Sequence, residues 1–343
     1  METWCEDDDA AWDALCDQEA DLFQLSAVSR AATAFGASTR RIRALDKQGN
    51  PLAAMALVEV GSRRAPLADR LFARRFHLQG GPLWLSAATI DPVALVEASL
   101  DAFAAERSAT ESDWKPTWPI DPVAHVAESE DTAGDVWSHR AFGVAWRELP
   151  TSADDVLATL SRSHRKAVRK AIAGGVTVRA ASHASEVLDL VDASFVRSGL
   201  AAPNRAFLDA LRDGLARDGR TIELVAEGPP GRPEAALLAA RVGDTVFNLF
   251  HGRVDDQTGG AANLLHLRLF EQAVRAGARR VHTGDAAITD DGSTGTAGIL
   301  RFKRHLGFRV DPCVRAAKVH RPLAHKVSRG ALSAYRFLRG EGS

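Results

Sequence analysis

Lys303 stands in a short basic run, Phe302-Lys303-Arg304-His305, that closes on Leu306-Gly307-Phe308. An ammonium held on a helix beside an aromatic ring is suited to stabilising negative charge that develops on an oxygen. The alternative is a surface lysine of a cationic helix. Asp285 follows Gly284 at the end of a β-prone run. A carboxylate there orients an amine, takes its proton, or caps a turn. His251, in Phe250-His251-Gly252-Arg253, lies just past another strand. An imidazole ordinarily titrates near neutral pH, so it reads either as a base or as a hydrogen-bonded structural histidine. Arg162, Arg165 and Arg169 belong to a basic segment, Leu160 to Ala171. Guanidinium groups suit phosphate, although most such runs are solvated faces. No Ser-His-Asp or Cys-His order recommends a covalent nucleophile. Cys5, Cys16 and Cys313 are widely spaced, without C-x-x-C or zinc-like histidine spacing, so neither a disulfide framework nor a metal site is expected.

These residues need elements to bring them together, and the stretch from Thr245 to Phe308 supplies them. Val246, Phe247, Leu249 and Phe250 predict a strand. Asp255-Asp256-Gln257-Thr258-Gly259-Gly260 breaks it. From Asn263 apolar residues recur at three-to-four spacing (Leu264, Leu265, Leu267, Leu269, Phe270, Ala273, Val274), a helix that Gly277 ends. Arg279 to Thr283 predicts a short strand. Gly295 and Gly298 precede a closing helix from Ile299 to Leu306, which carries Phe302 and Lys303.

Upstream, residues 1–38 read as polar helices anchored by Trp4, Trp12, Leu15, Leu22, Phe23 and Leu25. Thr39 to Val60 reads as a hairpin turning at Asp46 to Pro51. Phe76 to Leu85 is a strand interrupted by Gly80-Gly81-Pro82, and Asp91-Pro92 starts a helix to Glu106. Trp114 to Asp135 reads as a loop rich in proline and acid, and Ala141 to Leu149 as the next strand. Ser152 caps a helix through Leu160, and Arg162 to Ala173 forms the basic helix. Two more helices are expected over Glu186 to Leu200 and Asn204 to Asp218. Strands over Thr221 to Glu227 and Ala235 to Val242 follow.

The order of strand, Gly-rich turn, Asn263-Leu264-Leu265 helix, Gly284-Asp285 strand and Phe302-Lys303-x-x-Leu306-Gly307-Phe308 resembles the second half of the Fem-type (FemAB-like) aminoacyl-tRNA-dependent transferases of the GNAT superfamily. The Leu160 to Ala171 block with Gly174-Gly175-Val176 is similar to that family's basic helix leading into a strand. His77-Leu78-Gln79-Gly80-Gly81-Pro82 is similar to its Gly-Pro loop. Leu306 stands where an aromatic residue is usual. The resemblance implies an α+β protein of two tandem GNAT-like (acyl-CoA N-acyltransferase) units with mixed central sheets. Residues 1–150 would form the first unit, 151–310 the second with the donor site, and 311–343 a basic tail packing back on the first. It implies amide formation on a small amine or amino-acid-containing acceptor, with Lys303, Asp285 and His251 at the reacting groups. Phe302 and Arg253 would lie beside them, and Arg165 near the phosphates of a nucleotide-linked substrate. The first expected donor is aminoacyl-tRNA, entering by its acceptor end, with no tightly bound cofactor. The second is an acyl-CoA, because Gln257-Thr258-Gly259-Gly260-Ala261-Ala262, running into Asn263, fits the Q/R-x-x-G-x-G/A pattern of CoA-binding GNAT enzymes. There, backbone N–H groups at a helix start cradle pyrophosphate. An ordinary helix-start turn is the other reading. A third, of another class, is a GNAT-like module that only binds RNA or peptide.

Composition agrees with this class. The 343 residues suffice for two compact units, with 45% apolar and 25% charged residues as in ordinary globular proteins. Lys plus Arg (43) nearly balances Asp plus Glu (44), so no global field favours nucleic acid. Locally the balance fails. Residues 1–29 hold nine acids and no Lys or Arg, whereas 301–339 hold eight Arg and three Lys against one Asp. Such a tail suits RNA, an anionic membrane surface or the protein's own acidic face. The acidic N-terminus lacks a signal-peptide core, and no apolar run approaches the ~20 residues of a membrane span. The expected location is the cytoplasm.

Overall fold

The computed structural model describes residues 2–3, 8–60, 74–87, 90–120, 136–199, 201–229, 231–286, 288 and 296–328. Trp4, Cys5, Gly295, residues 121–135 of the Pro-rich stretch and residues 329–343 of the basic tail lie outside these. In chain order the strands are β1 (Glu2–Thr3), β2 (Ser38–Leu45), β3 (Pro51–Val60), β4 (Arg75–Gln79), β5 (Leu83–Trp84), β6 (Glu111–Lys115), β7 (Ser138–Glu148), β8 (Thr177–Ala180), β9 (Thr221–Gly228), β10 (Arg232–Val242), β11 (Thr245–Arg253), β12 (Arg280–Ala286) and β13 (Arg309–Val319). The helices are α1 (Asp9–Glu19), α2 (Ser26–Phe35), α3 (Pro92–Arg107), α4 (Arg162–Ala173), α5 (Ala184–Arg197), α6 (Arg205–Arg217), α7 (Ala261–Arg275) and α8 (Thr296–His305). Two compact units form. One comprises Met1–Leu15, Phe23–Ala141 and Cys313–Ser343, and the other Cys16–Leu22 and Phe142–Pro312.

In the first unit the strand order is β1-β2-β3-β4-β6-β13, with β5 paired to β3. The β4–β6 ladder is parallel, whereas β1–β2, β2–β3, β3–β4 and β6–β13 are antiparallel. The hairpin turns where expected because Asp46 Oδ1 accepts the Gln48 and Asn50 N–H groups, both at 2.8 Å. Five consecutive residues of β3, Ala53 to Leu57, are buried, so this strand is covered on both faces. Helix α3 starts as its sequence demands. Asp91 Oδ1 accepts from the Val93 N–H and Pro92 occupies the first turn. One expectation fails here. Trp114 lies in β6, fully buried with its Nε1–H donating to the Gly80 carbonyl, not in a loop. Glu-Ser-Asp-Trp-Lys carries no alternating apolar signal, and the ladder with β4 overrides local preference.

In the second unit the order is β7-β12-β11-β10-β9-β8. Among the described residues only the β11–β12 ladder is parallel, so this sheet too is mixed. Strand β10 shows why it packs as it does. Ala235, Leu237 and Ala239 join the core under α4 and α7, while Ala236 and Leu238 join the core under α5 and α6. Helix α7 buries Leu264, Leu265, Leu267, Leu269 and Phe270 against one face, each contributing about 1.5–3 kcal/mol.

Candidate active site

The β11–β12 ladder covers three residue pairs, Thr245 to Phe247 against Arg280 to His282. Just beyond, β11 bulges at Leu249, because Leu238 pairs with Phe250 but Ala239 with Asn248. Strand β12 is irregular over Thr283 and Gly284, the glycine sitting at φ +70°. A pocket of about 400 Å³ opens here. Asn248 and His251 of β11, Thr283 of β12, His266 of α7, and Phe302 and Lys303 of α8 line it.

Helix α8 is held in place from several sides. Leu300 and Leu306 are buried. Gly307 (φ +84°) ends the helix, where the Phe308 N–H returns to the Lys303 carbonyl at 3.1 Å. Buried Arg147 donates to the Leu306 carbonyl and, at 2.7 Å, to Thr159 Oγ1. Lys303 Nζ donates to the backbone carbonyls of Thr283 (2.9 Å) and Asp285 (2.7 Å). An ammonium has three N–H groups, so one is left to face the pocket. Burial pushes Lys303 down to about 8 against the opposing charge of Asp285.

A chain of rings borders the lysine. The centroids of His251 and His266 lie 5.0 Å apart, His266 and Phe302 5.3 Å, and Phe302 and His164 5.3 Å. Burial, then His266, Arg253 and Arg197, push His251 down to about 3. It is therefore neutral at pH 7, a hydrogen-bonding group rather than an effective proton acceptor. Burial, then His305 and His266, hold His164 at about 4.

Of the residues singled out by sequence, Lys303, Phe302 and His251 meet in this pocket. Asp285 contributes its backbone carbonyl to Lys303, and the residue is exposed. Arg253 lies beyond the lining. Its N–H donates to Ser194 Oγ and its carbonyl accepts from Arg197, which ties β11 to α5. Arg162 and Arg169 are exposed on α4, and Arg165 donates to the Ala158 and Leu160 carbonyls at 3.2 and 2.5 Å.

The Gly-rich turn has its own internal partners. The Thr258 N–H and hydroxyl both donate to the buried Glu234 carboxylate, at 2.7 and 2.9 Å. Gly260 (φ +97°) starts α7, and a Cβ there would lie 2.1 Å from the Ala167 carbonyl of α4. Gln257 Oε1 is buried without a partner among the described residues. Ala262 is buried and offers its carbonyl to His266, while Asn263 is half-buried beside it. Sequence reasoning passed over Asn248, His266, Thr283 and Arg147. The first two carry a visible signal, a polar side chain interrupting the apolar runs Val246 to Phe250 and Leu264 to Leu267. Thr283 acts through its backbone, which no side chain announces.

Residues 158–304 match the family model of the acetyltransferase (GNAT) domain. No curated protein matches the chain. Among solved structures, FemX is similar over 95% of this chain and 99% of its own, with a TM-score of 0.71 at 13% identity. A tandem GNAT protein from the clavulanic acid biosynthesis pathway is similar over 92% and 97%, with a TM-score of 0.52 at 15% identity. L-PGS from Bacillus licheniformis is similar over 93% of each chain, with a TM-score of 0.53 at 13% identity. The fold is thus that of two tandem GNAT-like units, and the resemblance to Fem-type transferases holds at the level of fold. No described helix is long and apolar enough to cross a membrane.

Proposed function

We propose that this protein is an acyltransferase that moves an aminoacyl group from the ester of aminoacyl-tRNA to a small amine, acting in the cytoplasm. The observation that carries the reading is the buried Lys303 ammonium. It is fixed by two carbonyls in a pocket of a GNAT-type domain, with one N–H left for a ligand. The acceptor amine attacks the ester carbonyl, and the oxyanion that forms accepts from that N–H. The carbon–oxygen bond to the leaving ribose then breaks. As the oxyanion collapses, that same N–H passes its proton to the leaving oxygen, and Lys303, with its pKa lowered to about 8, is reprotonated by the proton that the attacking amine sheds. FemX, whose fold this chain shares, favours the Fem-type donor.

Glu234 tells against the Gly-rich turn as a pyrophosphate cradle: its carboxylate already takes the Thr258 N–H and hydroxyl, and a second anion there is repelled. A second reading, transfer from acyl-CoA, is favoured by the acetyltransferase description of the matched domain. Single-turnover transfer to a mixed pool of small amines, with labelled aminoacyl-tRNA and acetyl-CoA in parallel, separates the two. The expected result is protein-dependent loss of label from tRNA, sensitive to RNase and absent in Lys303→Ala. Thiol release from acetyl-CoA alone would replace this donor with CoA.

A further inference from the structure

The geometry that holds Lys303 as a cation also fixes what it becomes without its charge. One bond of Nζ runs to its own Cε, and two N–H groups point at the Thr283 and Asp285 carbonyls, at 2.9 and 2.7 Å. A neutral amine keeps two N–H groups, so both carbonyls stay satisfied when a proton leaves. The proton lost is therefore the one that faces the pocket, and a lone pair takes its direction. The ammonium that donates to a carbonyl oxygen in that space becomes an amine aimed at the carbonyl carbon.

The neutral form lies within ordinary pH. Burial pushes Lys303 down to about 8, and the charge of Asp285 on β12 opposes it. His251 of β11 and His266 of α7 are the other titratable groups among the described lining residues, and burial keeps both uncharged at neutral pH. Leu249, Phe250 and Phe302 give the lysine apolar neighbours. A desolvated lysine of lowered pKa is an activated nucleophile towards carbonyl groups.

We propose that Lys303 is also a self-acylation site: its neutral Nζ attacks the carbonyl of an activated ester or thioester in the pocket and becomes an amide, which switches the site off. The Nζ–carbon bond forms, and the carbon–oxygen or carbon–sulfur bond to the leaving group breaks. The amine proton departs with the alcohol or thiol. The amide nitrogen retains a single N–H, so it cannot serve both carbonyls, and it carries no charge to meet an oxyanion. The chemistry needs only an activated acyl group, whatever carries it. Its consequence for transfer rests on the acyltransferase reading.

Treatment of the full-length protein with p-nitrophenyl acetate, followed by peptide mapping with mass spectrometry, tests this. At about pH 7.5, roughly a quarter of a group with a pKa of about 8 is neutral, against roughly a thousandth of an ordinary lysine. Lower basicity removes part of that advantage. Lys303 is expected to be acetylated at least about tenfold faster than the exposed Lys47, Lys166 and Lys170. Its labelling rate should level off above about pH 8, and in Asp285→Asn that inflection should move to lower pH. The acetyl group should resist hydroxylamine, as an amide does and an ester does not. Labelling of Lys303 no faster than of the exposed lysines, a rate that rises without an inflection, an inflection that stays or rises in Asp285→Asn, or a label that hydroxylamine removes would overturn the proposal. The labelling of the unaltered protein stands even where the variant fails to fold. Neither tRNA nor CoA is present, so the two readings fail separately. A labelled Lys303 in a protein that transfers nothing removes only the transferase reading, and transfer by a protein whose Lys303 resists the ester removes only this inference.

Discussion

Lys303 owes its chemistry to where its neighbours put it, and its pH behaviour follows. Burial holds its pKa near 8, so the ammonium is complete below that pH and lost as pH rises through it. We expect kcat to fall along an alkaline limb near pH 8. Lys303→Ala should cost on the order of 10²-fold or more in kcat and abolish that limb, as a pH–rate profile of both proteins reads. His164 works in the opposite range. Its folded pKa of about 4 lies below the ordinary value of 6.5, so between those values the unfolded chain binds more protons. Stability is therefore intact above about pH 6.5 and falls as pH drops towards 4. That loss reaches roughly 3 kcal/mol for this one group, at about 1.4 kcal/mol per pKa unit. Denaturant melts of His164→Phe should show a shallower acid slope than the parent. Lysine and phenylalanine were legible because they sit in a recognisable run. The partners of Lys303 were not, because two of them are backbone carbonyls twenty and eighteen residues away.

At the scale of elements, the strongest sequence signals were periodicity and caps, and these located α3, α4 and α7 to within a residue or two. The short strand β6 was missed because polar residues can occupy a strand whose ladder is supplied by others. The Gly-rich turn was legible as a turn, yet its packing against α4 was not. Gly260 lets α7 start against the backbone of α4, and only the partner element reveals that need. Gly260→Ala should destabilise by at least about 2 kcal/mol, through both the left-handed φ and the clash with Ala167. Gly219→Ala, at φ +66° but with open space around it, should cost only about 1 kcal/mol. Urea melts of the two variants side by side check that difference.

At the scale of the molecule, the chain does not divide at one point. Residues Cys16–Leu22 count with the second unit although the first unit surrounds them in sequence. Asp17 explains why. Its carboxylate receives both terminal nitrogens of Arg220, at 2.5 and 2.8 Å, and the Gly243 N–H at 2.8 Å. Burial pushes the Asp17 carboxyl up, but Arg220 and Gly243 outweigh it and hold it below the ordinary range. Its contribution is thus present at neutral pH and lost as pH falls through that lowered value. Asp17→Asn should destabilise by about 1–2 kcal/mol at pH 7 and flatten the acid side of the stability profile, as thermal melts across pH report. A charge pair 203 residues apart leaves no trace in local sequence.

The assignment of Cys313–Ser343 to the first unit has a consequence for how the protein is born. Strand β13 supplies Ala316 to Val319 as the partners of β6. A ribosome working from the N-terminus releases every residue of the second unit before Ala316 to Val319 emerge. The half that is synthesised first is therefore the half that finishes folding last. Until Ala316 to Val319 leave the exit tunnel, β6 presents an unpaired edge, a ready template for mispairing. Messages truncated after codon 312 should yield an aggregation-prone first half beside a second half whose residues are all present.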